Sequence, residues 1–215
     1  MIHVAETKSP NESAGVSIRF LNASPDVPAV DIYVNDQAVV RKLEYKNFTE
    51  YYPAKAGVYH IAIMASGPNS AVRFSEHVEL TAKTIYTMAV TGISADIGIH
   101  LIRDTIKPIQ KDKAYIRFIN ESPYETSFDI KINGHTVVED LFYNDTTNYY
   151  IVNGGTYTLK ILNHHTAGLA LTNPHMTLAA GKMYACCIVG YERGEPSMEV
   201  LLPLEGATYT KLEPC

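Results

Sequence analysis

Apolar side chains recur at every second position through most of the chain, the period of a half-buried β-strand. Ile18 and Phe20 alternate with Arg19 and Leu21, and Val30, Ile32 and Val34 with Asp31, Tyr33 and Asn35. Tyr59, Ile61 and Ile63 alternate with Val58, His60 and Ala62 in the same way. Turn residues break the pattern at Ser24-Pro25-Asp26, Asn35-Asp36, Gly57, Ser66-Gly67, Thr81-Ala82-Lys83 and Gly92, the spacing expected of short strands. Asn133-Gly134 has the composition of a two-residue hairpin turn. No stretch holds a 3.6-residue period over three turns, so helices are expected to be scarce.

The pattern occurs twice. A shift of 98 positions lays Ser17–Gly92 on Tyr115–Gly190 without a gap and superposes Ile18-Arg19-Phe20 on Ile116-Arg117-Phe118. The same shift pairs Ser24-Pro25 with Ser122-Pro123, Asp31-Ile32 with Asp129-Ile130, Tyr51-Tyr52 with Tyr149-Tyr150, and Tyr86 with Tyr184. A period of this length is that of a domain rather than of a solenoid unit. The fold expected is all-β: two tandem antiparallel β-sandwiches, each of seven or eight strands. Boundaries follow from the pattern: a polar arm over 1–15, a first repeat over 16–104, a charged linker over 105–113, a second repeat over 114–204 and a tail over 205–215. A linker this short predicts a fixed or semi-fixed arrangement of the repeats.

With 18 Lys and Arg against 23 Asp and Glu, the formal charge of -5 leaves no basic excess for a phosphate backbone, so nucleic acid is not an expected partner. No apolar run reaches the roughly 18–20 residues of a spanning helix, and residues 1–15 lack the basic and apolar regions of a secretory signal. Nucleotide, zinc-protease and nucleophile-elbow motifs are missing from the sequence. The expectation is therefore a protein that is not an enzyme, with no catalytic residues, cofactor or metal.

The remaining candidates are structural or interfacial. Arg19 with Asp31, and Arg117 with Asp129, share the outward parity of neighbouring strands and predict exposed cross-strand ion pairs. Asn22, Ser24 and Asp26 offer oxygen ligands, but turn chemistry explains them without calcium, and Tyr124 replaces Asp26 in the second copy. The tyrosine doublets Tyr51-Tyr52 and Tyr149-Tyr150 place at least one ring of each pair on an outer face, as candidate contact residues. Of the 3 cysteines, Cys186 has inward parity, whereas Cys187 points outward and Cys215 ends the tail, so these two are candidate intermolecular thiols.

The run Ile18-Arg19-Phe20-Leu21-Asn22-Ala23-Ser24-Pro25-Asp26 followed by Val30-Asp31-Ile32-Tyr33 resembles the opening of the bacterial domain-of-unknown-function 4397 family. Ala56-Gly57-Val58-Tyr59, and in the second copy Gly155-Thr156-Tyr157 with Ala180-Gly181-Lys182-Met183-Tyr184, extend the likeness over nearly all of residues 16–203. The resemblance implies immunoglobulin-like or transthyretin-like sandwiches on bacterial surface proteins, and supplies no catalytic residues. With no signal peptide expected, it implies cytoplasmic synthesis followed by non-classical export or assembly from a mother cell onto a spore.

Two functions follow as expectations. The first is a structural subunit of a bacterial surface layer, spore coat or fibre, partnering itself or other surface proteins through strand edges and terminal segments. The second is an adhesion or carbohydrate-binding module whose sandwich-end loops and exposed tyrosines contact a glycan.

Overall fold

The computed structural model describes residues 15–67, 71–104, 109–123 and 127–209. The first repeat forms β1 (Val16–Asn22), β2 (Ala29–Val34), β3 (Gln37–Glu44), β4 (Tyr52–Ala54), β5 (Gly57–Ala65), β6 (Val72–Leu80), β7 (Ile85–Ile93) and β8 (Asp96–Asp104). The second forms β9 (Lys113–Asn120), β10 (Phe128–Ile132), β11 (His135–Leu141), β12 (Tyr150–Asn153), β13 (Gly155–Asn163), β14 (Leu169–Leu178), β15 (Lys182–Val189) and β16 (Glu199–Leu201). A single turn of helix, α1 (Gly206–Tyr209), follows.

Each repeat is a sandwich of two four-stranded sheets, ordered β4-β1-β7-β8 over β3-β2-β5-β6, and β12-β9-β15-β16 over β11-β10-β13-β14. The ladders are antiparallel except for β1 with β7 and β9 with β15. The alternation seen in the sequence supplies the cores: Ile18, Phe20, Tyr86 and Met88 face Val30, Ile32, Ile61 and Ile63 in the first. Ile116, Phe118, Tyr184 and Cys186 face Ile130, Leu159 and Ile161 in the second.

Local chemistry sets the turns. Asn35 and Asp36, and Asn133 and Gly134, all have positive φ, as a type I′ hairpin demands. Gly57 has φ of 151°, but its counterpart Gly155 has no positive φ, so the two repeats do not share that turn geometry. The shared requirement lies at Gly92 and Gly190, with φ of 83° and 82°. A Cβ would stand 2.1 Å from Asp96 O at the first and 2.5 Å from Ser197 O at the second.

The Asn-x-Ser motif is likewise a brace. Asn22 Nδ2 donates to Val27 O and Leu43 O, its Oδ1 accepts from Ser24 N, and Ser24 Oγ donates to Gly92 O. Asn120 and Ser122 repeat the pattern on Leu141 and Gly190. Among the described residues no group of three metal-ligating side chains occurs, and no helix is long and apolar enough to cross a membrane.

Candidate functional site

The residues of opposite parity to the cores decide how the repeats meet. Leu21, Ala23, Ala89 and Ile102 from the first repeat, and Ile119, Ala185, Cys187 and Val189 from the second, form a third apolar cluster. Pressing these faces together removes apolar surface from water at roughly 25 cal/mol per Å². The β1–β7 and β9–β15 sheets are thus the two inner layers of a four-layer stack. Their central strands β7 and β15 are accordingly buried almost end to end.

Polar side chains from both repeats and from the tail sit in this seam, among them Arg19, Asp104, Arg117, Tyr149 and Glu205. Tyr86 stands opposite Arg103 in one sheet and Tyr184 opposite Leu204 in the other, so the next residues along, Asp104 and Glu205, are structural counterparts. Arg19 and Arg117, 4% and 3% exposed, each reach across to a main-chain carbonyl of the other repeat. Arg19 Nη1 donates to Leu204 O at 3.0 Å and Arg117 Nη1 to Arg103 O at 2.7 Å. Both guanidiniums pair with Glu205 and lie over tyrosine rings, Arg19 at 4.9 Å from the Tyr51 centroid and Arg117 at 5.0 Å from that of Tyr149.

The Tyr149 hydroxyl contacts both Asp104 and Glu205. A hydroxyl brings one proton, so both contacts are satisfied together only when a carboxyl supplies another. Burial pushes the Glu205 carboxyl above its usual range, with Arg117 pulling the other way.

Glu205 is held there by its neighbours. Its N–H donates to Met183 O at 2.8 Å, and Thr208 Oγ1 accepts from Met183 N. A Cβ on Gly206 would fall 2.4 Å from Ile85 Cγ2, so the glycine lets α1 lie against β7 of the first repeat. Residues 205–209 therefore fasten the two repeats together.

The seam has two rims, and duplication makes them equivalent in position while divergence makes them opposite in character. On the first rim Phe48 and Leu201 pack onto the apolar cluster, and Lys46 Nζ pairs with Glu199 at 2.9 Å across the boundary. On the second, Thr146 stands where Phe48 does, and His100, opposite Ala89, stands where Leu201, opposite Cys187, does. Arg103 likewise replaces Leu204, and Glu121 replaces Ala23. Losing the large apolar side chains leaves a cleft of about 340 Å³ between His100–Arg103 of β8 and Thr146–Tyr149, with Arg117 in its wall. That volume is within the roughly 300–1,000 Å³ of small-ligand sites.

The polar groups of the cleft are individually oriented. Glu121 is wholly buried, and its Oε1 lies 2.9 Å from His100 Nδ1. Burial raises its carboxyl, and the imidazole opposes that rise. With Nδ1 engaged, Nε2 is the His100 nitrogen left to the cleft. Arg103 Nη2 donates to Thr81 Oγ1 at 3.2 Å, which anchors its guanidinium on the first repeat. Arg19 Nε donates to Thr87 Oγ1 at 2.9 Å. The counterpart of Thr87 is Ala185, which has no acceptor, and Arg117 Nε has no hydrogen-bond partner among the described residues.

Several sequence expectations are corrected here. Arg19 and Arg117 do not pair with Asp31 and Asp129, nor are they exposed. Outward parity carried them into the seam, where Glu205 is their partner. Asp31 is bound instead by Arg41, by the main-chain N–H of Lys42 and by Ser66. Asp129 is bound by the N–H of Asp140 and by His164.

The four tyrosines are not open contact residues. Tyr51 and Tyr149 lie on the buried arginines, while Tyr52 and Tyr150 pack against the two cores. Cys187, expected to be accessible, is 1% exposed because its outer face is the seam, and Cys186 is buried in the core. Cys215 lies outside the described residues. The first residues of the tail lie against both repeats, through Glu205 on Arg19 and Arg117 and Gly206 beside Ile85. His100, Glu121, Thr146 and Glu205 were not singled out by sequence. The signal was the mismatch between repeats at Ala23/Glu121 and Phe48/Thr146.

A family model described as Domain of unknown function (DUF4397) matches residues 16–130 and again 114–210. No curated protein matches the chain. Among solved structures, similarity is found to a candidate polysaccharide-binding protein (DUF1812) from Bacteroides thetaiotaomicron at 12% identity, covering 90% of this chain and 96% of that one with a TM-score of 0.25. CBMbc (family CBM26) from Eubacterium rectale Amy13K, in complex with maltoheptaose, gives 9% identity, 90% and 99% coverage and a TM-score of 0.24. A candidate adhesin from Bacteroides ovatus gives 11% identity, 92% and 97% coverage and a TM-score of 0.22.

Proposed function

The chain belongs to the DUF4397 family, which it carries as two tandem copies, and from that premise we propose that it is a non-catalytic adhesion or binding module whose ligand is a hydroxyl-rich molecule such as an oligosaccharide. The observation that carries the reading is the unequal pair of rims. One is closed by Phe48, Leu201 and the Lys46–Glu199 pair, and the other is open and lined by side chains that hydrogen-bond. A seam needed only for stability has no use for the second arrangement, since exchanging an aromatic ring for threonine gives up burial.

The walls suit a sugar. Thr146 and Asn148 are exposed hydrogen-bonding groups at the mouth, and His100 and Arg103 are braced from behind. Preorganised polar groups in a concave site fix ligand orientation at little entropic cost. The surface-assembly reading loses one support it drew from sequence, an accessible Cys187, while the binding reading loses its exposed tyrosines and rests on the cleft instead. Presentation at a bacterial surface, which the family resemblance implies, suits a glycan-binding role.

The test is a glycan array followed by NMR titration of the intact protein. Binding that perturbs the amides of 100–103 and 146–149, and that Thr146→Phe abolishes, supports the reading. Glycan binding confined to the outer sheets, or no binding to any glycan, overturns it.

A further inference from the structure

The charges around the cleft are layered. Its wall holds His100, Arg103 and Arg117, and among the described residues no carboxylate lines it. The acids that balance these groups, Glu121, Asp104 and Glu205, are 0%, 5% and 1% exposed and stand behind the bases. His100 pairs with Glu121 and Arg117 with Glu205, in each case with a buried carboxyl that is not part of the lining. The arrangement is local, since the chain as a whole has a formal charge of -5.

Two donors in the wall are held in place but unspent. Arg117 Nε, in a side chain 3% exposed, has no hydrogen-bond partner among the described residues, because Ala185 replaces the threonine that serves Arg19. A buried donor with no acceptor costs free energy unless a ligand or water supplies one. Arg103 donates through Nη2 to Thr81 Oγ1, and its guanidinium lies 5.9 Å from the Tyr86 ring centroid. One edge of a planar group is thereby fixed and the rest left to a ligand. Guanidinium groups match carboxylate and sulfate oxygens in geometry as well as charge. His100 adds a nitrogen, and Thr146 and Asn148 add neutral groups for hydroxyls.

Building on the binding reading above, we infer that the ligand of the cleft is an acidic glycan, a saccharide bearing carboxylate or sulfate groups, with Arg103 as the residue that selects the charge. The selection is electrostatic and bidentate, so it falls with ionic strength and depends on a guanidinium more than on a point charge. The first rim offers no second copy of this site, because Leu204 stands where Arg103 does.

The experiment is calorimetric titration of the full chain with three ligands: a trigalacturonate, a heparin-derived tetrasaccharide and maltotriose. Each is repeated at low and high salt, and with the Arg103→Gln and Thr146→Phe variants. The inference predicts that one of the acidic ligands binds at least about tenfold more tightly than maltotriose. It also predicts that this preference shrinks in salt and that Arg103→Gln weakens acidic binding about tenfold or more, as loss of a charge-assisted hydrogen bond should. Trigalacturonate leading identifies carboxylate as sufficient, and the heparin fragment, which bears carboxylates as well as sulfates, leading shows that sulfate adds to the recognition. Equal affinity for maltotriose, lost in Thr146→Phe but unchanged in Arg103→Gln, overturns the acidic preference and leaves the cleft a glycan site. Binding of an acidic ligand that Thr146→Phe leaves intact overturns the cleft itself as its location.

Discussion

Phe48 and Thr146 stand 98 positions apart in the chain and at equivalent places on the two rims of one seam, where the phenyl ring closes its rim and the threonine leaves a cleft. Exchanging them should move the opening. Thr146→Phe is expected to fill the cleft with no loss of thermal stability. Phe48→Thr should cost about 1–2 kcal/mol, because the half-buried ring loses part of the burial energy of a core aromatic. Urea denaturation of both variants checks this, and equal destabilisation by the two would refute the difference between the rims.

Glu205 is the acid shared by both buried arginines. Glu205→Ala leaves two guanidiniums with an uncompensated charge in the seam and should destabilise the protein by about 3–5 kcal/mol. Glu205→Gln keeps the hydrogen-bonding shape and should cost less. Chemical denaturation of the two variants, with the inter-repeat contacts followed by NMR, gives the measurement. A wild-type midpoint in Glu205→Ala would show that the tail does not fasten the repeats.

Cys186 and Cys187 should resist a thiol reagent until the protein unfolds. Burial pushes the Cys186 thiol up to about 12 and raises Cys187 as well, where nearby Glu121 and Glu205 add to the shift, so neither supplies thiolate at neutral pH. Mass spectrometry after timed alkylation in native buffer and in denaturant reads both sites separately. Rapid native labelling of Cys187 would mean that the seam opens in solution.

His164 and Asp129 form an outer-face pair, with His164 Nδ1 at 2.7 Å from Asp129 Oδ1. The hydrogen bond to Asp129 raises the imidazole pKa, with Asp140 and Glu139 assisting against desolvation. Burial would raise the Asp129 carboxyl, but the Asp140 N–H and His164 hold it below its ordinary value. Stability from His164 is complete below its unfolded pKa of about 6.5 and is lost as pH rises through the raised folded value. Stability from Asp129 is complete above about 3.9 and is lost as pH falls through the lowered one. The pair therefore acts fully between those limits. NMR titration should show the His164 midpoint falling in Asp129→Asn, and an unmoved midpoint would remove the pair as its cause.

The sandwiches were legible because their cause is local. Alternation along Ile18–Leu21 or Tyr59–Ile63 states which side chains share a face, and a shift of one residue would turn every apolar group to the wrong side. The type I′ turns at Asn35-Asp36 and Asn133-Gly134 rest on the same short range, since only certain residues tolerate their φ. The runs Ile85–Ile93 and Met183–Val189, without charge on either parity, also held a readable sign that both faces of these strands are covered.

The identity of that cover was not in the pattern. Parity assigns Arg19, Arg117 and Cys187 to the face away from the core, but whether that face meets water or another sheet depends on docking across some hundred residues of chain. The 98-residue shift also breaks after Gly190, where a longer connection delays the last strand. Glu205 thus becomes the counterpart of Asp104, though the constant shift would pair it with Lys107. Two β-sandwiches and their turns could be read from the residues alone, because strand period and backbone sterics act between neighbours. That the outward arginines are buried, that the tail pairs with them and that one rim is a cleft emerges from the folded molecule, because Coulombic pairing and packing depend on distances that folding sets.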